Sequence, residues 1–154
     1  MLTRPEDSDL GQLYRLGKDH ELTKIQVCET VSEVVYGVTL TYGEWNYYGR
    51  VTNAKTLYTH GTDANDIGGS CSYFELEEGE YIAKLKIYYM EEYGIAGLYF
   101  RTNKYNSVTF GTTAGPIYSN GNYYSVLSKT LSYGSRTRFY GFIGEEHRTW
   151  YSGV

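Results

Sequence analysis

The sequence predicts an all-β domain of three sheets around a common axis. Three observations predict it: strand periodicity is frequent, turn signals recur between short apolar runs, and a hairpin-sized block repeats. In Ala83-Lys84-Leu85-Lys86-Ile87 the apolar set falls at 83, 85 and 87 with lysines between, the period of a half-buried strand. Ile25 and Val27 alternate with Lys24 and Gln26, Val38 and Leu40 with Thr39 and Thr41, and Leu98 and Phe100 with Tyr99 and Arg101. Tyr42-Gly43, Gly68-Gly69-Ser70, Glu78-Gly79, Asn120-Gly121-Asn122 and Tyr133-Gly134 read as the intervening turns.

The repeat narrows the architecture. Lys24-Ile25-Gln26-Val27 is followed, thirteen residues after its first member, by Gly37-Val38-Thr39-Leu40, and Lys84-Leu85-Lys86-Ile87 by Gly97-Leu98-Tyr99-Phe100 at the same offset. A looser third copy runs from Arg138-Phe139-Tyr140-Gly141-Phe142 to Gly153-Val154. Gly61-Thr62-Asp63-Ala64 and Gly111-Thr112-Thr113-Ala114 form a second echo. Each unit alone leaves one sheet face bare, so three sheets packing inward is the physical solution.

At 154 residues the chain is one domain long. Residues 1–9, with Pro5, Glu6, Asp7 and Asp9, read as a flexible lead-in, and 10–154 as the folded domain. A strand starting at Tyr151 has only four residues, which reads either as a piece of a longer chain or as a clipped last strand. The net charge of -4 argues against a nucleic-acid partner, although a small local cationic patch for a polyanion stays open. No apolar run approaches the roughly 18 residues of a membrane span, and the N-terminus has no apolar signal-peptide region. Nineteen tyrosines stand beside 5 Phe and 2 Trp, a composition suited to half-buried sheet faces and to flat binding platforms. Cys28 and Cys71 fit either one bridge or two thiols.

Phe74-Glu75-Leu76-Glu77-Glu78-Gly79-Glu80-Tyr81-Ile82, Ile95 to Lys104, Phe110-Gly111 and Gly141-Phe142-Ile143-Gly144 resemble the jacalin-related lectins. Tyr36 to Gly43 is similar to the animal secretory-granule branch of that family. The resemblance implies a β-prism I fold of three four-stranded antiparallel sheets, with the first and last strands sharing a sheet. It also implies a secreted or cell-surface protein that binds a glycan or glycoprotein. Family sites use an N-terminal glycine-rich loop and a late Gly-x-x-x-Asp loop, whose carboxylate accepts hydrogen bonds from sugar hydroxyls.

Here the late loop is Gly144-Glu145-Glu146-His147-Arg148-Thr149-Trp150-Tyr151-Ser152, so Ser152 stands where the acid belongs. The repeat-related Tyr36 and Ala96 are not acidic either, and only Gly11 remains of the N-terminal glycine pair. The ligand-binding residues expected are Gly11, Gly144, Glu145, Glu146, His147, Arg148, Trp150, Tyr151 and Ser152. A solvated charged turn is the plainer reading of Glu145 to Arg148.

Adjacent glutamates cannot face each other across a glycosidase cleft, so no enzyme is expected. His20, His60 and His147 lack metal-ligand spacing, and Asp63 to Gly68 fails as a calcium loop because Ile67 replaces an oxygen ligand. No cofactor is implied. Two functions follow: a carbohydrate-binding module of altered or weakened specificity, or a protein- or surface-targeting module of a larger protein, with a homo-oligomer compatible with both.

Overall fold

The computed structural model describes residues 16, 19–30, 34–60, 69–91, 94–119, 121–134, 136 and 138–141. Ten strands are present among them: β1 (Glu21–Glu29), β2 (Val35–Trp45), β3 (Val51–His60), β4 (Ser70–Glu75), β5 (Ile82–Met90), β6 (Gly94–Thr102), β7 (Ser107–Gly111), β8 (Ile117–Ser119), β9 (Asn122–Tyr124) and β10 (Leu127–Ser132). They form two four-stranded antiparallel sheets, β3-β2-β1-β4 and β10-β5-β6-β7, and a two-stranded ribbon, β8-β9. The architecture is that of β-prism I, with two of its three sheets reaching four strands among the described residues.

Both large sheets are Greek keys, since the fourth strand of each returns beside the first. Their registers coincide at an offset of 60. Ile25 pairs with Leu40 and Val27 with Val38, as Leu85 pairs with Phe100 and Ile87 with Leu98. The irregularities coincide too: the ladder slips between Leu22 and Lys24 and between Cys28 and Glu29, and again between Ile82 and Lys84 and between Tyr88 and Tyr89. At the first slip Thr23 offers its carbonyl to Leu76 N–H at 2.8 Å, and Ala83 offers its own to Tyr133 N–H at 2.8 Å. The strands leading into the second echo match as well, because His60 pairs with Val38 as Phe110 pairs with Leu98, while residues 61–64 of the echo itself lie outside the described residues.

Period-two alternation drives the inner faces together. Ile25, Val27, Leu40, Leu85, Leu98, Phe100 and Phe110 form one buried cluster between the two sheets. Gly97 must be glycine here, because a Cβ would lie 2.5 Å from the Thr112 carbonyl oxygen. Glu29 ties the sheets across their end, its Oε1 accepting Gly111 N–H at 2.8 Å. Cys28 and Cys71 sit opposite each other on β1 and β4 and form a disulfide.

Two sequence expectations need adjustment. Tyr42-Gly43 is no turn: both lie inside β2, and the chain reverses at Asn46 to Gly49, where Gly49 has φ 73°. Gly43 instead permits close approach, since a Cβ there would lie 2.3 Å from Val51 Cγ1. Ala83 is not one of the inward apolar set but the bulge residue. The two-stranded ribbon lies in the β7-to-β10 connection, away from the third copy of the repeat at 138–154. Residues 142–154 of the third copy and the lead-in 1–9 lie outside the described residues, as does any pairing of first and last strands within them.

Candidate carbohydrate site and its surroundings

The expected ligand-binding residues Gly11, Gly144, Glu145, Glu146, His147, Arg148, Trp150, Tyr151 and Ser152 all lie outside the described residues. What the structure places are the two loop ends related to the late loop by the repeat. In the first, Thr30 N–H donates to the Val34 carbonyl at 2.9 Å, and Val34 N–H to Thr30 Oγ1 at 3.3 Å. Tyr36 and Ala96, which occupy the repeat-related positions of Ser152, are 1% and 0% exposed. Ala96 packs with Val34 and Met90 under Ile117, Tyr124 and Val126, so the ribbon region seals the second loop end with apolar surface. The Glu29 carboxylate nearby is engaged by Gly111. Neither repeat-related position therefore presents a sugar acceptor.

The family-like motif Gly79-Glu80-Tyr81-Ile82 with Thr102-Asn103 lies at the other end of the sheets, and it holds turns together. Glu80 is buried; its Oε1 accepts Glu77 N–H at 2.9 Å, and its Oε2 accepts the Thr102 hydroxyl at 2.5 Å and Asn106 Nδ2 at 2.8 Å. Asn103 accepts Tyr81 N–H at 2.8 Å through Oδ1 and donates to the Gly79 carbonyl at 3.1 Å. Burial alone would push the Glu80 carboxyl up. The hydrogen bonds from Thr102, Glu77 N–H and Asn106, helped by the Lys104 ammonium, outweigh that and hold it below the ordinary glutamate value.

The same end carries a polar seam that leads to the C-terminal segment. His20 Nε2 lies 3.0 Å from the Asn53 carbonyl and must donate to it, and its Nδ1 faces Glu44 Oε1 at 3.6 Å. Asn53 has φ 52° and donates from Nδ2 to Glu44 Oε2 at 3.0 Å. The Tyr42 hydroxyl donates to the Tyr140 carbonyl, and the Tyr140 hydroxyl to the His20 carbonyl at 3.2 Å. Burial, then the neighbouring Tyr140, raise the Tyr42 hydroxyl's pKa well above the usual tyrosine range. These bonds fasten residues 138–141, which lead into the late loop, to the first sheet.

Sequence reasoning treated the tyrosines as a composition and missed where they gather. Tyr47, Tyr48 and Tyr105 are 96%, 82% and 84% exposed, on the β2–β3 and β6–β7 turns. Asn46 sets the first turn, its Oδ1 accepting the N–H groups of Tyr48 and Arg50. The β6–β7 turn adjoins the β4–β5 turn, since Lys104 Nζ reaches Glu77 Oε2 at 3.2 Å and the Glu78 carbonyl at 3.1 Å. Tyr118 and Tyr123 make a second exposed pair on the ribbon, ring centroids 4.9 Å apart. Asn-Tyr-Tyr-Gly and Lys-Tyr-Asn were the available turn signals. Among the described residues no helix is long and apolar enough to cross a membrane, and no three His, Cys, Asp or Glu side chains gather as a metal site.

Comparison with known proteins agrees with this architecture. The chain is similar in fold to a Malaysian banana lectin, with 18% identity, a TM-score of 0.50, and coverage of 86% of this chain and 84% of that one. It is also similar to part of the mosquito-larvicidal Cry4Aa toxin from Bacillus thuringiensis, with 11% identity and a TM-score of 0.55 over 84% of this chain and 21% of the toxin. A prostate-specific WGA16 glycoprotein lectin matches at 16% identity and a TM-score of 0.49, over 82% of this chain and 86% of that one. No curated protein sequence gives a significant match. The model of the jacalin-like lectin domain matches residues 7–151, nearly the whole length, and the chain belongs to that family.

Proposed function

We propose that this chain is a carbohydrate-binding module of altered or weakened specificity, taking its ligand between Gly11 and the 144–152 loop. The observation that carries the reading is the jacalin-like lectin match over residues 7–151, which spans Gly11 and the loop through Tyr151. Backbone amides beside Gly11 and Gly144 supply donors, Trp150 supplies a stacking face, and Glu145, Glu146, His147, Arg148 and Tyr151 line the loop. Ser152 replaces the carboxylate acceptor with a neutral hydroxyl, which weakens each bond to a sugar hydroxyl.

A glycan array tests the reading. Trp150→Ala is expected to abolish whatever binding the native protein shows. Ser152→Asp is expected to tighten it roughly 10- to 100-fold, the difference of one charge-assisted hydrogen-bonding group at about 1.5–3 kcal/mol. Signals that survive Trp150→Ala would refute the site. A second reading, a protein-targeting module, is favoured by the exposed Tyr47, Tyr48 and Tyr105. It predicts no array signal, together with a recovered partner that Tyr47→Ser/Tyr48→Ser releases.

A further inference from the structure

The outer face of the second sheet carries a cation cluster that the fold does not require. Cross-strand pairing sets its side chains in rows. One row is Ser132, Lys84, Arg101 and Ser107; the next is Thr130, Lys86, Tyr99 and Thr109. Their neighbours along the strands, Leu85, Leu98 and Phe100, are fully buried, so these rows face outward. Lys84 and Arg101 stand directly opposite each other, an arrangement that like charges disfavour. No carboxylate stands in either row. The Arg101 Nε–H has no hydrogen-bond acceptor among the described residues, and Lys86 meets only the Tyr88 ring, at 5.3 Å.

The first sheet is an internal control, because its register matches at an offset of 60. Lys24 takes the place of Lys84, Gln26 that of Lys86 and Thr41 that of Arg101. There the lone cation, which lies over the Tyr73 ring at 4.5 Å, has a carboxylate opposite it in its row, Glu75, where the second sheet has Ser132 opposite Lys84. The same scaffold therefore stands with one cation in a row that holds a carboxylate, or with three cations in rows that hold none. In a chain of net charge -4, three uncompensated cations on one face call for an anion.

We propose that this face binds a sulfated polysaccharide. Sulfate groups meet Lys84, Lys86 and Arg101, while hydroxyls of Ser107, Thr109, Thr130 and Ser132 along both flanks hydrogen-bond sugar hydroxyls. Four strands spaced about 4.8 Å apart make each row about 14 Å wide, room for a polysaccharide chain crossing the sheet. The face is separate from the 144–152 loop, so the proposal does not rest on the site proposed above.

Chromatography on immobilised heparin tests it. The native protein is expected to bind, and to weaken roughly 20- to 40-fold between 50 and 200 mM NaCl, the dependence for three neutralised anions. Lys84→Gln/Lys86→Gln/Arg101→Gln is expected to abolish retention. Ser132→Glu, which copies the Lys24–Glu75 arrangement and leaves every cation in place, is expected to shift elution to lower salt even if the triple variant fails to fold. Lys24→Gln and Trp150→Ala are expected to leave elution unchanged. Absence of retention, unchanged elution of Ser132→Glu, an equal loss in Lys24→Gln, or equal competition by a DNA oligonucleotide of the same charge would each overturn the assignment.

Discussion

Glu80 shows how a residue that looks like a lectin signature serves the fold instead. Three donors converge on one buried carboxylate, so its charge is what the surrounding turns are built around. Because its folded pKa lies below the unfolded value, the stability it contributes is complete above that value, near 4.5, and is lost as pH falls through the folded pKa. Glu80→Gln is expected to cost about 1–3 kcal/mol at neutral pH, since an amide turns an N–H toward a donor. Urea unfolding at pH 7, 5, 4 and 3 checks this: the native protein should lose stability below about pH 4.5, and the variant should show a flatter profile there. An equally steep acid limb in both would assign the loss to other carboxylates.

At the scale of elements, the disulfide joins adjacent strands of the first Greek key and closes a separation of 43 residues. Its counterpart on β5 is Tyr88, opposite Ser128 on β10, so the second sheet keeps the same pairing with no covalent tie. Cys28→Ala/Cys71→Ala is expected to lower stability by about 2–4 kcal/mol, read as a reduced urea midpoint with little change in the native spectrum. A change under about 1 kcal/mol would mean that backbone pairing alone fixes β4. Legibility differs among elements for physical reasons. Ile25, Leu40, Leu85 and Phe100 were readable because alternation and the thirteen-residue hairpin offset act locally. The slips at Thr23 and Ala83 were not, since nothing in those side chains distinguishes a bulge from an ordinary strand residue. Gly43 misled because glycine serves close approach as readily as reversal. The cationic face was half visible in Lys84-Leu85-Lys86, and Arg101 joins it only through the β5–β6 register.

For the whole molecule, two matched Greek keys press their inner faces together, and their central strands β1, β2, β5 and β6 each have a paired strand on either edge. Hydrogen exchange is expected to be slowest for amides of Ile25, Val27, Leu40, Leu85, Leu98 and Phe100, and fastest in the ribbon of β8 and β9. Uniform protection across all ten strands would contradict a core concentrated between β1, β2, β5 and β6. The candidate carbohydrate site was legible as a loop type and as a missing acid. The site as proposed would bring Gly11 to residues more than 130 positions later, a long-range juxtaposition that no local pattern encodes.

The ribbon is an addition to one of two otherwise matching blocks, so the duplicated scaffold has already absorbed a lengthened crossover in one copy. Its base is anchored, because Ile117 and Tyr124 shelter Val34, Met90 and Ala96, whereas a Cβ at Gly121 would meet nothing within 4 Å. Its tip is therefore a natural graft point: a foreign epitope or affinity tag spliced in there would project into solvent without disturbing the shelter beneath.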